Sequence, residues 1–340
     1  MVKRPTLTDL AHAAGVSIAT VDRVINRRLP VSDDTAQRVV KAAERIGYHA
    51  TSLLKRRIAE TPVRKFGFLL QKRDAFYQNL GRELVQATKS AKEIEGKAIL
   101  EFIEELVPAV VARRLRDIAP KVDALAVVAM DHPQINQAVD EIVARGKPVV
   151  TLLSQITTPS CKGHLGLDSR KCGRIAGWAI SRMAKQEGRI GILVGSHRYL
   201  NQETSEISFR AYMREHAPQM QLLEPIINLD DERIAYEAVS GMLASYPDLA
   251  AIYVAGGGQD GLIKALRELT GQPRPVAVCN ELTASTQAAL IENVIDLALG
   301  TPVLPLALRT ISHLTAACEE GRFTPQQTFL PPEIFVSENV

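Results

Sequence analysis

GVSIATVDRVINRR, residues 15–28, decides how this chain begins. After a Gly-Val-Ser turn, Val21, Val24 and Ile25 recur at helical spacing along one side. The opposite side carries Thr20, Asp22, Arg23, Asn26, Arg27 and Arg28, a polar and basic face that a helix built only for packing does not need. Ser17 stands where a cap belongs. Ile18, Ala19 and Thr20 keep the start of the helix free of long side chains. Such an end can approach base edges closely, with Arg23, Arg27 and Arg28 placed for bases or phosphates.

Outward from this helix the pattern stays helical. Thr6 to Asp9 has capping-box spacing, Leu7, Leu10, Ala11 and Ala14 repeat at helical intervals, and Gly15 stops the run. Ser32 is placed to cap a third helix with Val39, Ala42, Ala43 and Ile46 inward and Gly47 as its end. Two short helices across a tight turn, braced by a third, make helix-turn-helix geometry. Residues 1–65 hold 13 Lys+Arg against 6 Asp+Glu, a net of +7, and the remainder holds 28 against 32, a net of −4. A basic head on a mildly acidic body points to a polyanion as the head's partner.

The 340 residues exceed one ordinary core, and a composition of 46% apolar and 23% charged residues is that of a globular protein. No apolar run approaches the roughly 20 residues that cross a bilayer, so no membrane partner is expected. The start, MVKRPTLTDLAH, lacks the apolar core of a signal peptide, and a cytoplasmic location is the expectation. Cys161, Cys172, Cys279 and Cys318 read as free thiols. Cys161, His164 and Cys172 fit no common zinc spacing. Neither a metal nor a cofactor is expected.

From Arg64 onward, β-rich runs alternate with amphipathic helical stretches: 66–70, 124–130, 148–153, 189–195, 250–257 and 275–280. That alternation predicts parallel sheets with helices on both faces, and about 275 residues favour two lobes over one sheet. Ligands in such sheets bind beyond the carboxyl ends of strands. Those ends carry Asp74, Phe76 and Tyr77; Asp131 and His132; Ser154 and Gln155; His197, Arg198, Tyr199 and Gln202; and Asn280, Glu281 and Thr283. Aromatic faces beside fixed hydrogen-bonding groups suit a polyhydroxylated ligand. The lone tryptophan, Trp178, reads as core.

Residues 5–48, TLTDLAHAAGVSIATVDRVIN through VSDDTAQRVVKAAERIGY, resemble the headpiece of the LacI/GalR family of bacterial transcriptional regulators. The resemblance implies that Thr6, Ser17, Ile18, Ala19, Thr20, Arg23, Asn26, Arg27 and Arg28 meet double-stranded DNA. Ile18 and Ala19 would then read bases. Asp22 departs from the family's usual Ser, and an acid there calls for a partner such as Arg23 or Lys3. Residues 50–63 correspond to the family's hinge, which wedges a Leu into the minor groove. Here Arg57 holds that place, Leu54 and Ile58 flank it, and Ala50 replaces a common Pro.

Residues 64–336 resemble the same family's sugar-binding, periplasmic-binding-protein-like effector domain. Asp74, Phe76, Tyr77 and Asn280 would line a cleft between lobes, with Asp131, Ser154, Gln155, Tyr199, Gln202, Ser205, Gly258 and Glu281 as further contacts. Leu153 and Ser154 stand where a charged pair is common, Ser205 where an Arg is common, and Ser208 replaces a Gly before Phe209. A polyol, sugar acid or amino-sugar derivative is therefore the expected ligand. The resulting organisation is a small all-α helix-turn-helix domain (1–49), a hinge (50–63) and a two-lobed α/β periplasmic-binding-protein-like domain (64–340). Its first lobe is expected at 64–160 plus 295–315 and its second at 161–294 plus 316–340. The resemblance implies a homodimeric repressor of a catabolic or transport operon, not an enzyme, whose two headpieces read a near-palindromic operator.

Two rival readings remain. Gly256, Gly258 and Gly261 form a G-x-G-x-x-G between a strand and a helix, with Glu281 about 20 residues on, as in dinucleotide-binding enzymes. The motif lies deep in the chain, and no acid pair or Ser/His/Asp set accompanies it. An extracytoplasmic solute receptor would share the body but has no use for the headpiece.

Overall fold

The computed structural model describes residues 5–26, 31–51, 54, 62–72, 75–271, 273–319 and 326–340. The chain divides into two units, Met1–Pro62 and Val63–Val340.

In the first unit, α1 (Leu7–Ala14), α2 (Ile18–Asn26) and α3 (Asp33–Arg45) enclose a core of Leu10, Ala11, Ala14, Val21, Val24, Val39 and Ala43. The capping box is formed: the Asp9 amide donates to Thr6 Oγ1 at 3.3 Å and the Thr6 amide to Asp9 Oδ2 at 2.8 Å. Gly15, at φ +66°, takes the left-handed turn that ends α1. Arg38 Nη2 donates to the carbonyls of Ala14 and Gly15 at 3.2 Å each, and Arg45 Nη2 to that of Ala13 at 2.6 Å. Two cations on α3 thus satisfy the open carbonyls at the negative end of α1. Ser32 departs from expectation: its hydroxyl pairs with Thr35 Oγ1 at 2.9 Å and makes no backbone cap. Leu54 also differs. It is 2% exposed in this core, so it is a packing residue here and not a groove contact.

The second unit holds two sheets. The first has order β12-β5-β4-β3-β1-β2, all parallel, from β1 (Val63–Gln71), β2 (Glu95–Ile103), β3 (Ala124–Val127), β4 (Val149–Leu152), β5 (Gly163–Leu167) and β12 (Gln326–Leu330). Helices α4 (Ala75–Ser90), α5 (Pro108–Ile118), α6 (Pro133–Ala144) and α12 (Val303–Ala317) cover it. The second has order β13-β11-β10-β9-β6-β7, with β8 also on β6. Its strands are β6 (Arg189–Val194), β7 (Gln221–Leu222), β8 (Ile226–Ile227), β9 (Leu249–Val254), β10 (Val276–Asn280), β11 (Leu297–Gly300) and antiparallel β13 (Glu333–Phe335). Helices α7 (Ser169–Met183), α8 (Leu200–His216), α9 (Glu232–Ser245), α10 (Gln259–Glu268) and α11 (Ala284–Ile291) cover that sheet.

The chain crosses between lobes at residues 168, 301–302 and 331–332. The expected lobe borders are therefore corrected. Residues 163–167 and 326–330 complete the first sheet, because β5 pairs with both β4 and β12, while 297–300 pair with β10 in the second. Trp178 is corrected too: on α7 it is 49% exposed.

The lobes repeat one device. The residue just after the fourth strand in each, Leu153 after β4 and Glu281 after β10, has a left-handed backbone, φ 63° and 64°. Each then donates its amide to the neighbouring strand, Leu153 to Leu165 and Glu281 to Leu299, both at 2.9 Å. A non-glycine residue in that region is strained by about 1–3 kcal/mol, and such strain gathers at functional sites.

His164 on β5 is buried and held at about 4, well below the usual range, because burial penalises its charged form; Thr151 Oγ1 lies 3.0 Å from its Nδ1. The unfolded chain takes this proton near pH 6.5, whereas the folded one waits until about 4. Stability is therefore full above pH 6.5 and drains as pH falls toward 4, by about 3 kcal/mol for this group. Thermal unfolding from pH 7 to pH 4.5 is expected to fall more steeply for the wild type than for His164→Gln. Parallel curves would exclude His164 as a source of acid sensitivity.

Candidate nucleic-acid interface and ligand cleft

The start of α2 faces outward. Ser17, Ala19, Arg23 and Asn26 are exposed, Thr20 is half-buried, and Ile18 is 51% exposed although apolar. Ser17 starts the helix, accepting the Thr20 amide on Oγ at 3.1 Å. Asp22 receives Asn26 Nδ2 at 2.6 Å, so its partner is a neutral amide one turn on, in place of the expected Arg23 or Lys3. Thr6 is exposed, but its hydroxyl donates to Asp9 Oδ2 at 2.7 Å within the capping box. Arg27, Arg28, Arg57 and Ile58 lie outside the described residues.

Between the lobes of the second unit lies a cavity enclosing about 860 Å³ with its open mouth, a size suited to a small ligand. The first lobe contributes Phe76 and Tyr77 from α4, the strained Leu153 with Ser154, and Gln71 at the end of β1. Phe76 and Tyr77 meet edge to face, centroids 5.2 Å apart. The second lobe contributes Tyr199, Gln202 and Ser205 around α8, Asn280 and Glu281 after β10, and Asp230. Two bonds bridge the lobes: Gln71 Nε2 donates to Tyr199 Oη at 2.9 Å, and the Asp131 amide to the Arg198 carbonyl at 2.8 Å.

The glycine loop has its own explanation. Asp230 Oδ1 accepts the Gly257 amide at 2.7 Å, and Asn228 Nδ2 donates to the Gly257 carbonyl at 2.8 Å. Gln202 ties in as well: its Oε1 accepts the Gly195 and Ser196 amides at 2.8 and 3.1 Å, and its Nε2 reaches Asp230 Oδ1 at 3.2 Å. A carboxylate thus stands where a dinucleotide's pyrophosphate would take its amide. A Cβ on Gly256 would sit 2.7 Å from that same Asp230 oxygen. Gly258, at φ +94°, needs glycine for its left-handed backbone.

Residues 66–304 match the periplasmic binding protein domain family, and residues 6–51 match the bacterial regulatory proteins of the lacI family. The chain belongs to the lacI family of regulators. This LacI-family chain is 43% identical over 75 residues to the HTH-type transcriptional regulator MalR of Streptococcus pneumoniae, 22% of this chain and 23% of that protein. It is 28% identical over 197 residues to the HTH-type transcriptional regulator GalS of Salmonella typhimurium, 57% of this chain and 54% of that protein. The aligned stretches thus span about a quarter and about half of these two relatives. Among solved structures, a solute-binding protein of Agrobacterium vitis bound with α-D-tagatopyranose superposes with TM-score 0.75 at 19% identity, over 81% of this chain and 95% of that one. A solute-binding protein of Bacillus halodurans with bound myo-inositol gives 0.72 at 14%, over 83% and 97%. At such identities the likeness is one of fold.

The cavity of this LacI-family protein does not take in every residue expected there. Asp131 sits in a separate recess with His197 and Arg198, its Oδ1 occupied by the Thr157 amide at 2.8 Å and Asn136 Nδ2 at 2.9 Å. Gln155 lines another recess beside His164 and Phe329. Gly258 begins α10 against Asn228 and is not in the wall. Asp74 lies outside the described residues. Conversely, Gln71, Asn201, Asp230, Gln259 and Thr301 line the cavity without having been singled out. Gln71 follows an apolar strand and was legible as its polar end. Gln259 was hidden inside the glycine motif, and Asp230 follows Leu229 in a left-handed pair that no linear pattern announces.

Proposed function

We propose that this protein is a transcriptional repressor that binds a near-palindromic operator as a homodimer in the cytoplasm and is controlled by a small polyhydroxylated effector held between its lobes, with no catalytic step. One observation carries the reading: a single chain joins an outward-facing, lightly built helix start on α2 to a polar cavity enclosed by two hinged lobes. The sugars and the cyclitol held by structurally similar proteins support the effector class by analogy of fold. Effector binding changes lobe closure, and because one closure state binds the effector better, that difference couples the cleft to DNA affinity.

Two variants test the halves separately, on duplexes selected from a random pool. Arg23→Ala is expected to cost about 1–3 kcal/mol on the preferred operator and to narrow the gap to mismatched ones. Equal losses on every duplex would make Arg23 a phosphate contact instead. Tyr77→Ala is expected to abolish the effector's influence while the effector-free protein keeps its operator affinity. Phe76 is less suitable because it is 7% exposed within the first-lobe core, and its truncation would cost about 3–5 kcal/mol of stability. An unaltered effector response in Tyr77→Ala would move the ligand site out of this cleft.

A further inference from the structure

We propose that the cleft selects a polyhydroxylated ligand that is uncharged or carries an amine, and rejects the carboxylate and phosphate forms of the same scaffold. The inference rests on the effector reading above and narrows it, removing the sugar acid from the expected ligands. Among the described residues lining the cavity, Asp230 and Glu281 are carboxylates and none is Lys, Arg or His.

Both carboxylates are fixed in place. Glu281 accepts the Thr301 hydroxyl at 2.7 Å and the Thr301 amide at 2.9 Å, at one of the lobe crossings. Asp230 is anchored by the Gly257 amide at 2.7 Å and by Gln202. Neither can swing aside without giving up bonds that hold the loops of the second lobe. The wall registers the negative field: the Cys172 thiol, which faces the cavity, is pushed up to about 12 by burial first and then by Glu281 and Asp168. An anion entering here would leave water for a wall with like charges.

A second, independent feature points to the ligand's hydrogen-bonding character. Gln71 and Gln259 are 2% and 3% exposed, and both line the cavity. Their Oε1 atoms are buried without a hydrogen-bond partner, as is Asn201 Oδ1 on the same wall. Buried acceptors are costly to leave unmatched, and what satisfies them must bring O–H or N–H groups. Turning over the Gln71 amide would present its nitrogen instead, which a hydroxyl also satisfies, and leaves the charge unchanged. Hydroxyls and ammonium groups meet this wall; carboxylates and phosphates bring lone pairs to lone pairs.

The test uses the full-length protein in thermal unfolding and calorimetry. The probes are glucose, galactose and mannose, each as free sugar, alditol, 2-amino sugar, aldonate and 6-phosphate. Midpoint increases are expected from neutral and amino members alone, with the aldonate and phosphate of the same scaffold at least about tenfold weaker. In Glu281→Gln, or in Asp230→Asn should that variant fail to fold, the gap between the best ligand and its aldonate should shrink. An aldonate or phosphate binding as well as its neutral counterpart would overturn the charge rule while leaving the effector class standing. Silence across the whole panel, with operator binding intact, would overturn the polyhydroxylated class and the charge rule together.

Discussion

Raising salt from about 50 to about 200 mM is expected to weaken operator binding about a thousandfold, while affinity for an effector in the cleft changes less than about twofold. The contrast follows from where the charge sits. The head's net of +7 within residues 1–65 is set against −4 in the rest, so nearly all attraction to a phosphate backbone comes from the headpiece and hinge. Two such heads on a palindrome neutralise on the order of six to ten phosphates, and each neutralised phosphate releases condensed counterions whose return salt favours. Asp22 is an acid on the reading helix, and its bond to Asn26 leaves Arg23 out of that pairing. An uncharged ligand in the cleft releases no counterions, and its partners are hydrogen bonds at short range. Fluorescence anisotropy of a labelled operator across a salt series, beside calorimetry of the effector, measures both slopes. A flat operator slope would remove the electrostatic basis of the DNA reading.

Legibility differed between the parts of this chain for physical reasons. In the headpiece, apolar residues three and four apart have one burial solution, and Leu10, Ala14, Val21, Val24, Val39 and Ala43 all lie in its core. Leu54 shows the limit of that logic, since spacing gives a face but not what the face meets. In the body, strands buried on both sides read as continuous apolar runs. The edge strand β2 alternates Glu95, Lys97 and Glu101 with smaller or apolar residues, β5 carries Gly163, His164 and Gly166, and β12 opens with two glutamines, so none announces itself. That is why the lobe borders shifted: the elements that return from one lobe to the other are the least strand-like. Strand ends located Phe76, Tyr77, Ser154, Asn280 and Glu281 near the cavity because that placement follows from topology. Asp131 follows β3 by the same rule yet turns into a rim recess. Asp230 depends on two consecutive left-handed residues, a property of the folded backbone.

Gly261→Ala decides what the glycine motif is for. Alanine in place of glycine inside a helix ordinarily stabilises by about 1 kcal/mol. Here the opposite sign is expected, because a Cβ on Gly261 would overlap the Glu232 carbonyl oxygen and lie 2.6 Å from the Tyr236 nitrogen. These are backbone atoms of α9, which cannot turn away as a flexible side chain would, so α10 and α9 must separate. Forcing such a pair apart costs about 3 kcal/mol, enough to lower the unfolding midpoint by roughly 5–10 °C in a unit of this size. The loss should appear in the protein alone and be the same with NAD(H) present, since Asp230 already holds the Gly257 amide. A stabilised Gly261→Ala would mean the two helices are not in close contact. A wild-type midpoint raised by NAD(H) would return the loop to dinucleotide binding, with Asp230 displaced from that amide by the pyrophosphate.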